Sequence, residues 1–455
     1  MSETRSKWMQ IIGFTMRIVF VLLIFLAGRV MPAGAEARFP LRIAASGTYL
    51  EDADGKPFLI TGDAAWSLIA DLPPEDADLY IADRKARGFN TILVSLIEHE
   101  FARNAPNNAA GIAPFLAPGD FARPNDHYFA DAEHVLDAAR RAGMLVLLAP
   151  AYAGANGGPQ GWYTKMAAAG PDALRAYGRY LGKRYARYPN IIWVQGGDYD
   201  PPDRALVDAL AKGIAEVAPG ALQTVHGNRD SVTAAYWPDA KWLSIDTVYT
   251  YGDVAAAVQA RYRAGPHRPF FLIEALYEGE HGVKTEEIRK IAYGALLSGA
   301  SGQVFGNNPV WHFGGPALYE TPADWRKSLD SEGAKSIGHL ATLFQRFEWW
   351  KLKPDDGRFV RHVEGAPSAT ALSAVAGDGT FAVAYIQGAV ALDFDPTVLA
   401  AASGAVEWYD PSTGALAVAE PEADLRRLVV PTSSKVSDAG DWLVVLRTDG
   451  GLQDN

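Results

Sequence analysis

Eight short runs of Val, Ile, Leu and Phe recur between residues 58 and 305, separated by segments of helical period, and this alternation is what most narrows the folds open to the chain. Strands joined through helices pair in parallel, and parallel strands covered on both faces read as unbroken apolar runs. The runs are Phe58–Thr61, Thr91–Leu96, Leu145–Ala149, Ile191–Val194, Leu222–Val225, Trp242–Ile245, Phe270–Ile273 and Gln303–Phe305. Between them, Pro73-Pro74-Glu75-Asp76 and Pro171-Asp172 open helices, Asn125 caps one that Gly143 closes, and Thr285-Glu286-Glu287 sets acidic side chains at the positive end of another. Eight such units predict an α/β chain, a (β/α)8 TIM barrel, over residues 38–350. No G-x-G-x-x-G follows the first run, which removes the dinucleotide-binding open sheet.

After Lys353-Pro354-Asp355-Asp356 the pattern changes. Runs at Thr380–Tyr385, Val406–Tyr409 and Trp442–Leu446 are separated by Gly377-Asp378-Gly379, Asp410-Pro411-Ser412-Thr413-Gly414 and Asp438-Ala439-Gly440-Asp441, turn signals at hairpin spacing. A small all-β sandwich is expected over residues 351–455, packed against the barrel.

Residues 1–37 read as an export signal: Arg5 and Lys7 precede the apolar stretch Ile18–Ala27, and Ala33-Gly34-Ala35 or Ala35-Glu36-Ala37 supplies a cleavage site. Arg17 and Arg29 confine the uncharged run to residues 18–28, short of the roughly 20 a membrane span needs. The expectation is a periplasmic or extracellular protein with no stable span once the signal is removed, a retained signal-anchor being the alternative. The lack of cysteine excludes a disulfide framework and a thiolate zinc site. A net charge of −11 leaves no basic surface for nucleic acid. With 12 Trp and 19 Tyr, the chain has flat rings to stack on a neutral sugar or to fill a core.

In a barrel, the residues just past each strand point into one shared cup, and here they are polar: Asp63 and Trp66, Glu98 and His99, Tyr152, Gln195 and Asp198, His226 and Asn228, Asp246, Tyr249 and Tyr251, Glu274 and Tyr277, then Asn307, Asn308, Trp311 and His312. Hydrolysing a glycosidic bond takes one carboxyl that protonates the leaving oxygen and a second that attacks the anomeric carbon or activates water. Asp198 and Glu274 are the expected pair, because Asp198 ends Gln-Gly-Gly-Asp after the fourth run and Glu274 ends the otherwise apolar Phe-Phe-Leu-Ile-Glu of the seventh. Asp63, Trp66, His99, Tyr152, Gln195, His226, Asp246, Tyr251, Asn307 and Trp311 are the expected substrate-binding residues. Asp63 suits a helix cap as well as a sugar contact, and Glu98 and Glu100 remain spare carboxylates. Nine His lie scattered, with no H-x-H or H-E-x-x-H, so neither a metal nor a cofactor is expected. The carbohydrate-binding alternative is a non-catalytic exported protein that holds a glycan or matrix.

Several of these segments resemble the apiosidase-like glycoside hydrolases of family 140. They are Phe58-Leu59-Ile60-Thr61-Gly62-Asp63-Ala64-Ala65-Trp66, Arg87-Gly88-Phe89-Asn90-Thr91-Ile92, Tyr188-Pro189-Asn190-Ile191-Ile192-Trp193-Val194-Gln195-Gly196-Gly197-Asp198 and the Glu274 strand. Glu348-Trp349-Trp350-Lys351-Leu352-Lys353-Pro354-Asp355 and Trp408-Tyr409-Asp410-Pro411 resemble the companion domain labelled as collagen-binding. The resemblance implies an exo-acting barrel glycosidase whose acidic pair falls at Asp198 and Glu274. Barrels with that arrangement are retaining as a rule, with the Asp198 position as acid/base and the Glu274 position as nucleophile. Apiose, taken from a pectic side chain, is the family's sugar; the loops that contact sugar vary among its members, so the sugar stays open here.

Overall fold

Seven of the eight apolar runs supply parallel strands and the sixth strand begins just past its run; each strand is buried along its whole length between an inner core and an outer ring of helices. In this computed structural model, residues 36–264, 268–321, 324–401, 404–418, 425–431 and 440–448 are described. Residues 1–35 of the expected export signal, and Asp438 and Ala439 of one expected turn, lie outside them. Among the described residues no helix is long and apolar enough to cross a membrane.

The barrel strands are β1 (Ile60–Ala64), β2 (Thr91–Ser95), β3 (Leu145–Ala149), β4 (Ile191–Gly196), β5 (Gln223–His226), β6 (Asp246–Tyr249), β7 (Phe270–Glu274) and β8 (Gly302–Phe305). Their hydrogen-bonded order is β5-β4-β3-β2-β1-β8-β7-β6. At the seam, backbone and side chains both bridge the gap: Ser244 N–H donates to the Gln223 carbonyl at 2.9 Å, Thr247 Oγ1 to the Val225 carbonyl at 2.6 Å and Thr224 Oγ1 to the Ile245 carbonyl at 2.9 Å. The longer helices are α1 (Pro74–Ala86), α2 (Asp126–Arg141), α3 (Tyr163–Tyr185), α4 (Ala205–Val217), α5 (Val254–Arg263), α6 (Thr285–Leu297) and α7 (Glu332–Phe344). The Asn125 side chain caps α2, and α3 is interrupted at Gly170, at φ 77°, so that Pro171 opens its second segment.

One strand is displaced from its expected place. Trp242–Ile245 is a buried connector, with Trp242 Nε1 donating to Asp208 on α4 at 2.9 Å, and the sixth strand begins only at Asp246, where pairing with Phe270 starts. Apolar character marks burial, whereas the partner strand decides where a ladder begins.

Side-chain direction alternates along each strand. Ile60 and Ala64 of β1, Leu145, Leu147 and Ala149 of β3, and Ile192 and Val194 of β4 fill the barrel interior. Ile92 and Val94 of β2, Val146 and Leu148 of β3, and Trp193 of β4 face the helices.

From Leu352 the chain is all-β, as expected. A seven-stranded antiparallel sheet contains β9 (Leu352–Pro354), β10 (Val360–Ala376), β11 (Phe381–Phe394), β12 (Gly404–Asp410), β13 (Ala415–Val418), β14 (Arg427–Val429) and β15 (Asp441–Thr448). Along β11, Phe381, Val383 and Tyr385 join the core shared with the barrel, while Ala382, Ala384 and Ile386 join a separate core with Trp408, Trp442 and Leu428. The long strands thus cover two layers. Tyr385 stacks on Tyr293 of α6 with centroids 5.0 Å apart, and buried Arg289 of α6 pairs with Asp441 through bonds of 2.6 and 2.9 Å.

Candidate active site

Asp198 sits one residue beyond the glycine pair that follows Gln195 on β4, in a turn with three successive positive φ angles: 76° at Gly196, 128° at Gly197 and 48° at Asp198 itself. A Cβ at Gly197 would come within 2.3 Å of the Tyr152 ring, and one at Gly196 within 2.7 Å of the His226 carbonyl. The glycines therefore admit neighbouring protein groups, and those neighbours are the ones that hold Asp198. Tyr152 OH donates to Asp198 Oδ2 at 3.0 Å, and the Asp198 backbone N–H points at His226 Nδ1, 3.2 Å away.

Glu274 reaches the same place by a different device. Strict alternation after Phe271 and Ile273, both of which face the interior, would turn Glu274 outward. The β6–β7 register instead slips by one residue between Leu272 and Glu274, placing Glu274 opposite Tyr249. A bulge of this kind re-aims a side chain. Its carboxylate meets His226 Nε2 at 2.9 Å and accepts from Tyr251 OH at 3.0 Å.

His226, the last residue of β5, is buried between the two acids: Nδ1 lies 3.4 Å from Asp198 Oδ1, and one oxygen of each carboxylate and a ring nitrogen all lie within 4.8 Å of one another. Burial disfavours the charged imidazole, but the Glu274 hydrogen bond and both carboxylates outweigh it and raise its pKa. Burial first, and then the charge of Glu274, push Asp198 up to about 6 against the opposing pull of His226, the Tyr152 hydrogen bond and Arg229. Around the acids stand aromatic rings. Trp66 packs against Tyr152 and His226 at 5.7 and 5.6 Å and donates from Nε1 to Tyr277 OH at 3.0 Å, while Trp311 and Phe101 close the far side at 5.1 Å from each other.

Of the expected sugar-binding residues, Trp66, Tyr152, His226, Tyr251 and Trp311 line this cup, and His99 lies at its edge with its ring 4.8 Å from Trp162. Four others point away, three of them through side-chain direction and one through its place along the strand. Asp63 turns outward to Tyr80 OH (2.7 Å) and Arg84 (3.6 Å) of α1, where burial outweighs both partners and lifts it to about 6. Gln195 donates to Gln223 at 2.9 Å behind β4, and Asn307 donates to Glu278 at 2.9 Å behind β8. Asp246 opens β6 rather than following it, so it lies at the opposite end of the barrel, ion-paired with Arg261. Of the spare carboxylates, Glu98 gives Oε1 to the backbone N–H groups of His99, Glu100 and Phe101, which makes it a loop anchor. Glu280 was not anticipated: it is buried on the loop after β7 and accepts from Trp311 Nε1 at 2.9 Å. Its only signal was the acidic pair in Glu278-Gly279-Glu280-His281-Gly282. Hollows of about 410 Å³ beside Arg361 and Asp395, and of about 540 Å³ between Tyr49 and Trp349, each contain a single carboxylate and so lack the acidic pair that glycoside hydrolysis uses.

Among solved structures, a protein described as a glycoside hydrolase superposes with a TM-score of 0.79 at 21% identity, covering 91% of this chain and 98% of its own. A family 5 glycoside hydrolase from Bacteroides vulgatus gives 0.78 at 21%, covering 91% and 94%. A family 5 mannosidase from Rhizomucor miehei, in complex with mannosyl-fructose, gives 0.51 at 14%, covering 67% and 97%. These likenesses concern the fold. No curated protein matches the chain. A family model described as the apiosidase-like catalytic domain matches residues 44–351, which take in every barrel strand and stop just before β9. On that extent the chain belongs to the apiosidase-like family, and its barrel is the catalytic domain of a glycosidase.

Proposed function

We propose that the enzyme is exo-acting and retaining, removing a terminal sugar with Asp198 as acid/base and Glu274 as nucleophile. The observation that carries this reading is the closeness of the two acids, within 4.8 Å oxygen to oxygen, near the roughly 5–5.5 Å of retaining enzymes and short of the 6.5–9.5 Å that leaves room for a water in inverting ones. Asp198, held up near 6, carries the proton that passes to the glycosidic oxygen as that bond breaks. Glu274 attacks the anomeric carbon from the other side, its charge steadied by His226 and Tyr251. In the second step Asp198 takes a proton from water, whose oxygen displaces Glu274 from the sugar.

A terminal furanoside such as apiose is the proposed sugar, on the strength of the family description. The test is a panel of aryl furanosides and pyranosides with wild type and Glu274→Ala. A substrate cleaved by wild type alone, restored in the variant by azide, and released first with unchanged anomeric configuration fits the reading. Inverted product would overturn retention.

A second reading has one observation in its favour: Asp198, His226 and Glu274 offer three ligand atoms close enough to hold a metal ion. Loss of activity on dialysis against EDTA, restored by one divalent cation, would establish it. Residues 1–37 are proposed as an export signal, and the mature protein recovered from its host then begins near residue 36 or 38 by N-terminal sequencing. Residues 351–455 are proposed as a domain that buttresses the barrel through Arg289 and Asp441.

A further inference from the structure

Glu280 is a buried carboxyl that the two-acid chemistry leaves unused. It stands on the loop after β7, two residues from Glu278, and the two acids face opposite ways. Glu278 turns outward to the Asn307 amide at 2.9 Å and to the Gly333 backbone N–H at 2.8 Å. Glu280 turns inward to Trp311, whose ring belongs to the aromatic lining of the cup. Glu280 is only 6% exposed, and among the described residues no Arg, Lys or His pairs with it. Among the described residues its one side-chain partner is the indole N–H on Oε1, which leaves Oε2 without one there.

A carboxylate oxygen left without a protein partner beside the aromatic lining can accept a hydrogen bond from a ligand. Burial, opposed by the Trp311 bond and reinforced by the charge of Glu274, pushes Glu280 up to about 7, so it stands within electrostatic reach of the nucleophile. Tyr277, which holds Trp66, feels both carboxylates as well.

We propose that Glu280 is a substrate-binding residue: Trp311 fixes one of its oxygens, and the other accepts a hydrogen bond from a hydroxyl of the sugar ring seated against Glu274. This deepens the glycosidase reading and rests on it. The ligand class is a neutral sugar that presents a free hydroxyl on the Trp311 side of the ring, which a substituted, internal residue of a chain would lack. Glu280 thereby contributes to the choice of a terminal residue.

The experiment compares wild type with Glu280→Gln, which keeps an oxygen for Trp311 and replaces the free oxygen by an amide, on the aryl glycoside that wild type cleaves best in the panel and on its monodeoxy analogues. Removing this hydrogen-bond partner should lower kcat/KM on the parent roughly 10-fold, with an unchanged melting temperature. On the one analogue that lacks the contacted hydroxyl, the substitution should cost less than about threefold, since the bond is already gone. An equal loss on every analogue would assign Glu280 to propping Trp311 and overturn the proposal, as would no loss at all. Calorimetric titration of the same two proteins with free apiose, arabinose and mannose separates this from the glycosidase reading. Tight binding weakened in Glu280→Gln, with no turnover by wild type, would keep the Glu280 contact and sink the hydrolase. If wild type neither turns over the panel nor binds any of the three sugars, the contact is overturned.

Discussion

His226 Nε2 lies 2.9 Å from Glu274 Oε2, and the other ring nitrogen faces Asp198 at 3.4 Å, so one imidazole spans the two acids proposed as acid/base and nucleophile. Both carboxylates favour a proton on His226, and that charge would offset their mutual repulsion. His226→Ala should therefore lower kcat about 10²- to 10³-fold on any substrate the wild type cleaves. Without the His226 charge, which lowers the Asp198 pKa, the upper limb of the pH profile should also move to higher pH.

Asp198 must carry its proton to act as acid. With its pKa held near 6, the active form predominates below that pH and is lost as pH rises through it, so kcat/KM should fall about tenfold per pH unit above 6. Tyr152 donates to Asp198 and so favours its ionised form. Tyr152→Phe should shift that descending limb upward, and a limb that moves down or stays put would remove Asp198 from the acid's role.

Gly197 is where backbone and catalysis meet. Alanine there would set a Cβ 2.3 Å from the Tyr152 ring at a φ of 128°. Gly197→Ala should cost more than 10²-fold in kcat through misplacement of Asp198. Circular dichroism should still show the barrel.

Asp246 separates position in sequence from position in the fold. Asp246→Ala would leave Arg261 buried beside an empty space, costing about 3–5 kcal/mol in denaturant unfolding. The folded fraction should keep its KM, because the pair lies at the end of the barrel away from Asp198.

Arg289 and Asp441 join the barrel to the β-domain through two buried hydrogen bonds. Arg289→Met should destabilise the whole chain by about 3–5 kcal/mol, in one unfolding transition if the domains depend on each other. Two separated transitions in calorimetry would show that the β-domain is an independent appendage.

The eight units, the change to β-structure after residue 351 and the meeting of Asp198 with Glu274 in one cup were legible in the chain, because burial on both faces writes itself as apolar runs and a lone carboxyl at the end of such a run has few inexpensive uses. Which way a side chain points was not legible. Asp63, Gln195 and Asn307 are as polar and as near a strand end as His226, yet parity sends them to the helices, and a strand that begins four residues late sends Asp246 to the wrong end. Glu274 faces inward only because β7 slips by one residue against β6, a property of two strands together that neither contains alone. Composition and period thus determine where the chain is buried. Register, bulges and left-handed turns, which exist only between paired elements, decided which of its polar groups meet in the cup.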